Sequence, residues 1–290
     1  MHMYSFKKTA SYCSMIVLAV FFYVFIISSY AHANPFISRV KQADKIAEKN
    51  GFEKHFIKTD KFTLTSYQRI TDRGKPLTIY IEGDGRAWIT PKRLSKDPTP
   101  KNTLVLELAA MDTSSNVVYL ARPCQYTDRS EEPFYDNAYW SSRRFSEEVI
   151  SSMDQAIDEL RSFCDAPGLH LIGYSGGAAV AALVASRRDD VASFRSVAGN
   201  LDPSVVNKYH GVSELDGSLD PMDIAPEISD IPQRHFIGEK DKVVPDFVVE
   251  NFLRAMGEAP NAEVIRVKNA SHRKGWKKRW KELLRTDFKI

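Results

Sequence analysis

Leu169-His170-Leu171-Ile172-Gly173-Tyr174-Ser175-Gly176-Gly177-Ala178-Ala179-Val180 decides how the rest of the chain is read. It opens as a short apolar run, tightens at Gly173, carries a serine at its tip, and continues as a helix of small residues up to Ser186. The turn has the form Gly-x-Ser-x-Gly (Gly173, Ser175, Gly177), in which a sharp strand-to-helix bend lifts a serine hydroxyl above a sheet edge. Glycines on either side keep side chains out of the bend. The helix that follows aims its free N-terminal N–H groups at the same point, where they favour negative charge. Bare Gly-x-Ser-x-Gly matches are common, and it is the apolar run before and the small-residue helix after that give this one meaning.

Outward from this point, strand and helix signals alternate. Phe62–Ile70 alternates apolar and polar residues, as a half-buried strand does. Leu77–Ile81, Asn116–Ala121, Ser193–Ala198, Gln233–Ile237 and Ala262–Val267 read as further strands. Asn34–Gly51, Thr103–Met111, Ser141–Cys164, Pro245–Met256 and Trp276–Arg285 read as helices. The spacing predicts an α/β fold, a mostly parallel twisted sheet with helices on both faces. Residues 34–59 read as an N-terminal helical extension, residues 60–290 as the main domain, and about 203–232 as a loop-rich insertion. Thr90–Asn102, with three prolines, reads as loop, and Arg122–Tyr139 as a long irregular segment. Phe134, Tyr139 and Trp140 are candidates there for lining a pocket or for core packing.

A serine hydroxyl needs a base to take its proton and a third group to orient that base. Asp241 follows the strand Gln233–Ile237, and His272 follows the last strand, so both belong on the sheet edge that carries Ser175. Glu239, Asp202 and Asp220 compete for the acid. His210 competes for the base, whereas His170 and His235 lie inside strands.

Gly-Tyr-Ser-Gly-Gly at 173–177, Gly-x-x-Asp-x-Val-Val-Pro at 238–245 and the late Ser271-His272 resemble the α/β-hydrolase superfamily over roughly residues 60–287. Segments 81–88, 119–126 and 198–202 further resemble a group of poorly characterised bacterial exported hydrolases. The resemblance implies the α/β-hydrolase fold, Ser175 as nucleophile, Asp241 as acid and His272 as base. It also implies an oxyanion hole built from the backbone N–H of Gly176 and of the Gly83–Asp84 region. In that loop Gly-Asp-Gly stands where the superfamily often has Gly-Gly-Gly, so the identity of the donating loop amide stays open.

The N-terminus has a different character. Lys7 and Lys8 precede the apolar run Met15–Ile27, and Ala31-His32-Ala33 forms a small-x-small site. This is the layout of a secretory signal peptide over residues 1–33, cleaved after Ala33. An uncleaved membrane anchor is the rival, though the run falls short of the roughly 20 residues a span requires. Export predicts a periplasmic or extracellular protein, and the pair left after cleavage, Cys124 and Cys164, is then a disulfide candidate.

No Cys or His spacing suggests a metal site, and no cofactor is expected. The formal charge of +3 falls to +1 without Lys7 and Lys8, giving no overall reason for a nucleic-acid partner. The basic C-terminus (Arg273, Lys274, Lys277, Lys278, Arg279, Lys281, Arg285) reads as the solvated face of a helix, with peripheral contact to anionic lipid as the alternative.

The functional expectation is an exported serine hydrolase acting on a small-molecule or lipid-like ester or thioester. A non-catalytic exported protein of the same fold, with a binding or scaffolding role, is the competing reading.

Overall fold

A computed structural model describes residues 35–90, 92–257 and 261–285. The expected signal peptide lies outside the described residues. The chain divides at Ser38 into a short N-terminal unit and a main unit, Arg39–Ile290, which holds every element described below except the first residues of the first helix.

Ten strands and seven α-helices make up the described chain, in the order α1 (Pro35–Lys49), β1 (Glu53–Lys58), β2 (Thr63–Ile70), β3 (Leu77–Ile81), β4 (Trp88–Thr90), β5 (Arg93–Leu94), α2 (Leu104–Met111), β6 (Asn116–Leu120), α3 (Glu147–Cys164), β7 (Leu169–Tyr174), α4 (Gly176–Ala185), β8 (Val191–Val197), α5 (Pro203–His210), β9 (Gln233–Gly238), α6 (Phe247–Ala255), β10 (Ala262–Val267) and α7 (Trp280–Arg285). Eight strands form one sheet in the order β1-β2-β6-β3-β7-β8-β9-β10. The β1–β2 and β2–β6 pairs are antiparallel and the others parallel. This is the mostly parallel sheet that the alternating signals predict, and the arrangement that the resemblance to α/β hydrolases implies.

Side chains on successive strand residues point to opposite faces, and each face has its own core. Ile79, Ile81, Val118 and Leu171 pack with α3, α4 and α6 on one face. Tyr80, Val117, Tyr119, Ile172 and Phe236 pack on the other with Ala43 and Ala47 of α1, with α2 and with Trp280 of α7. All of α4 is buried, which explains its composition: a helix apolar all round has no face for water. In α3, Glu147 and Glu148 complement the positive helix start, Val149, Ile150, Met153, Ile157 and Leu160 face the core, and Asp165 ends the helix in the left-handed conformation.

The proposed disulfide is not formed. Cys164 sits in the core under α3, whereas Cys124 packs in a separate small cluster with Ala87 and Trp140. Both are buried free thiols, and burial raises the pKa of each. An even cysteine count gave the wrong expectation because the two residues belong to different packing clusters.

The insertion is more ordered than a loop-rich reading suggests. It holds α5, capped by Asp202 through the Val205 N–H at 3.0 Å, and a 3₁₀ turn at Ala225–Ile228. The basic C-terminal segment is anchored by Trp276 and Trp280, both fully buried. Its charges face outward, with Lys277 paired to Glu107 and Arg279 to Glu282. No helix among the described residues is long and apolar enough to cross a membrane.

Candidate active site

Four parallel strands deliver the site. The loop after β3 supplies Gly83 and Asp84, the turn after β7 supplies Ser175, the loop after β9 supplies Asp241, and the loop after β10 supplies His272. Parallel strands point their C-terminal ends the same way, so residues nearly 100 positions apart emerge at one edge. The crevice opens beside β3 and β7, where the strand order reverses.

Ser175 has φ 51° and ψ −123°, a region non-glycine residues rarely occupy and one that stores strain at functional turns. Its N–H donates to Val197 O, and its carbonyl accepts from Ala178 N and Asn200 N, each at 3.0 Å. The flanking glycines are required by close approach. A Cβ on Gly173 would lie 2.4 Å from Gly177 O, and one on Gly177 would lie 2.4 Å from Ile81 O.

The hydroxyl oxygen of Ser175 lies 3.0 Å from His272 Nε2, and His272 Nδ1 lies 2.9 Å from Asp241 Oδ2. The other Asp241 oxygen accepts from the N–H groups of Val243 (2.8 Å) and Val244 (3.0 Å). The Asp241 carboxylate is almost wholly buried and the His272 ring nearly so. The carbonyl of His272 accepts from the Tyr174 hydroxyl at 2.9 Å and from Trp276 Nε1 at 3.1 Å. These two donors fix the loop that carries the imidazole. Neither was singled out from sequence, although Tyr174 is the residue before the serine.

The competing candidates lie elsewhere. Glu239 accepts from Asn269 N, Asp202 caps α5, and Asp220 accepts from Ser204 and Met222 N. His210 lies against Val243 O on the surface. His170 and His235 pair with Ser193 and Ser196 within the sheet. Tyr139 and Trp140 are core residues; the Trp140 indole donates to Ser95 O. Phe134 is exposed, and none of the three lines the cleft.

The loop after β3 packs directly on the serine turn, since a Cβ on Gly83 would sit 3.2 Å from Ser175 Cβ. The Gly83 N–H donates to its neighbour Glu82 Oε1 at 2.9 Å. Of the two loop amides considered from sequence, that of Gly83 is thus engaged by its neighbour's carboxyl. Glu82 is held by Gly83 N and by the Tyr119 hydroxyl (2.9 Å). Burial raises its pKa to about 7, against these hydrogen bonds and the Arg122 charge.

Asp84 takes its ion-pair partners from distant segments. It lies 3.5 Å from Arg122 Nη1 and 3.3 Å from Arg144 Nε. Those guanidiniums each lie 5.3 Å from the Phe145 ring centre, and Arg122 also donates to the Arg144 carbonyl. Burial lowers the Arg122 pKa to about 10, opposed by Asp84.

Residues 102–272 match the family model of the FSH1 serine hydrolases, a range that holds Ser175, Asp241 and His272. The chain belongs to the FSH1 serine hydrolase family. The FSH1-type chain also resembles solved α/β hydrolases. The esterase Pf2001 of Pyrococcus furiosus superposes with a TM-score of 0.59 at 15% identity, covering 82% of this chain and 92% of that one. An α/β serine hydrolase homologue from Coxiella burnetii gives 0.51 at 20% identity, covering 80% and 93%. A membrane phospholipase A, described as a bacterial virulence factor, gives 0.59 at 14% identity, covering 93% and 98%. At these identities the likeness is one of fold. No curated protein sequence matches the chain.

Proposed function

We propose that this FSH1-family hydrolase cleaves a carboxylic ester or thioester through an acyl-enzyme, with Ser175 as nucleophile, His272 as base and Asp241 as the orienting acid. The observation that carries this reading is the continuous hydrogen-bonded line Asp241–His272–Ser175. Ser175 Oγ attacks the carbonyl carbon while its proton passes to His272 Nε2. Asp241, oriented by two backbone N–H groups, stabilises the imidazolium that results. Negative charge gathers on the carbonyl oxygen, for which we assign the Gly176 and Asp84 N–H groups as donors. Collapse expels the alcohol or thiol with the His272 proton, and water then repeats the sequence on the acyl-serine.

A fluorophosphonate probe tests this directly. The expected result is labelling of the wild type and none of Ser175→Ala. A wild type that stays unlabelled while folded would turn the reading towards a non-catalytic role. The reading includes export after removal of residues 1–33, supported by the basic, apolar and small-x-small layout of that segment. N-terminal sequencing of the protein from its native host should then begin at Asn34.

A further inference from the structure

The cleft above Ser175 has a volume of about 470 Å³, within the range of small-molecule sites. Its wall is unusual in charge. Arg86, Lys101, Arg144 and Arg273 all line it, against the carboxyls of Asp84 and Glu82. The whole chain carries only +3, so the positive charge is gathered here by the fold. It comes from separate places: the loop after β3, the proline-rich segment before α2, the turn before α3, and the position next to His272.

The carboxyls offset only part of this charge. Glu82 is buried and turned to Gly83 N and Tyr119. Arg144 contributes Nε to Asp84 at 3.3 Å, and Asp84 also faces Arg122, so two guanidiniums share one carboxylate. Asp241 is occupied by His272 and two amides. Arg86, Lys101 and Arg273 make no ion pair among the described residues.

Exposed Arg and Lys are ordinarily only solvated. Cations converging from four segments on one concave wall focus potential into it and raise the local concentration of anions. The same cleft offers Trp88, Ile89 and Val243, all three well exposed for apolar residues. One wall thus suits a short hydrocarbon portion and the rest an oxyanion.

We infer that the substrate of this cleft is an ester or thioester bearing an anionic group, a carboxylate or a phosphate, held by Arg86, Lys101, Arg144 and Arg273. This rests on the serine hydrolase reading and narrows it. Arginine offers paired donors that match either oxyanion.

Two matched pairs test it. 4-Nitrophenyl butyrate against mono-4-nitrophenyl glutarate places a carboxylate on the acyl side. S-butyryl N-acetylcysteamine against butyryl coenzyme A places phosphates on the leaving side. At low ionic strength at least one charged member should exceed its neutral partner by about tenfold in kcat/KM, an advantage that shrinks as salt is added. Arg273→Glu and Lys101→Glu should each cut that charged-to-neutral ratio several-fold with the melting temperature held. Which pair responds tells carboxylate from phosphate. Each member is also run as a competitor of fluorophosphonate labelling, so the preference registers even where turnover is slow.

Equal or better handling of the neutral member in both pairs, by an enzyme that labels at Ser175, overturns the anionic assignment and leaves the hydrolase reading standing. A folded protein that neither labels nor turns over any of the four overturns both.

Discussion

At the residue scale, the site depends on which nitrogen of His272 carries a proton. Asp241 accepts at Nδ1, which leaves Nε2 free to receive the proton of Ser175. In Asp241→Asn the amide oxygen can still accept from Val243 and Val244. The NH₂ then faces Nδ1 and favours the tautomer protonated at Nε2, which has no lone pair for the serine. The expected outcome is a fall in kcat of order 10³–10⁴ with the fold retained, checked by steady-state kinetics beside a thermal melt. An unchanged kcat would remove Asp241 from the mechanism. Ser175, Asp241 and His272 were legible in sequence because each ends or follows an apolar strand, and chain order is a local signal. Arg122, Arg144, Tyr174 and Trp276 were not, because their relevance arises only through contacts made across the fold. The hydrogen bond from Gly83 N to Glu82 was equally hidden: nothing in the string Glu82-Gly83-Asp84 shows that Glu82 folds back onto it.

At the element scale, the buried strands and amphipathic helices announce themselves through their period. Exposed or short elements do not. β1 has a single buried residue, Ile57, and a charged outer face, so it lacks the alternation of a half-buried strand and forms only by pairing with β2. β4 is three exposed residues followed by a proline and closed by β5, and its last residue and all of β5 lie in the segment that reads as loop. α3 starts at Glu147, after the N-cap Ser146, later than the Ser141 start that the pattern suggests, and Asn137–Trp140 forms a separate 3₁₀ turn before it. α5 carries a testable consequence. Asp202, one of the rival acids, caps it and also accepts from Asn251 at 3.0 Å. Asp202→Ala should therefore cost about 1–2 kcal/mol and a few degrees in melting temperature, while the rate of Ser175 labelling stays within twofold of wild type. Loss of labelling in a folded Asp202→Ala protein would move Asp202 into the site.

At the scale of the whole molecule, the sheet encloses two ionisable groups whose burial tilts stability in opposite directions. His235 is fully buried between Phe194 and Phe252, and burial lowers its pKa to about 3. The unfolded chain binds a proton there below about pH 6.5 and the folded chain does not, so this contribution is lost as pH falls through that window. Glu82 does the reverse. Its pKa is raised from 4.5 to about 7, so between those values the folded chain holds a proton that the unfolded chain has released. Its contribution is present below about pH 4.5 and is lost as pH rises towards 7 and above. Glu82→Gln isolates the second effect, since the amide keeps an acceptor for Gly83 N and a polar partner for Tyr119 but cannot ionise. The measurement is unfolding free energy of both proteins at pH 5 and pH 8. Contributions from His235 and the surface ion pairs cancel in the difference. The wild type should lose roughly 2–3 kcal/mol more than Glu82→Gln over this interval. Parallel pH profiles would mean that the Glu82 carboxyl titrates as an ordinary surface group, and that the loop after β3 is more open to water than its packing on Ser175 implies.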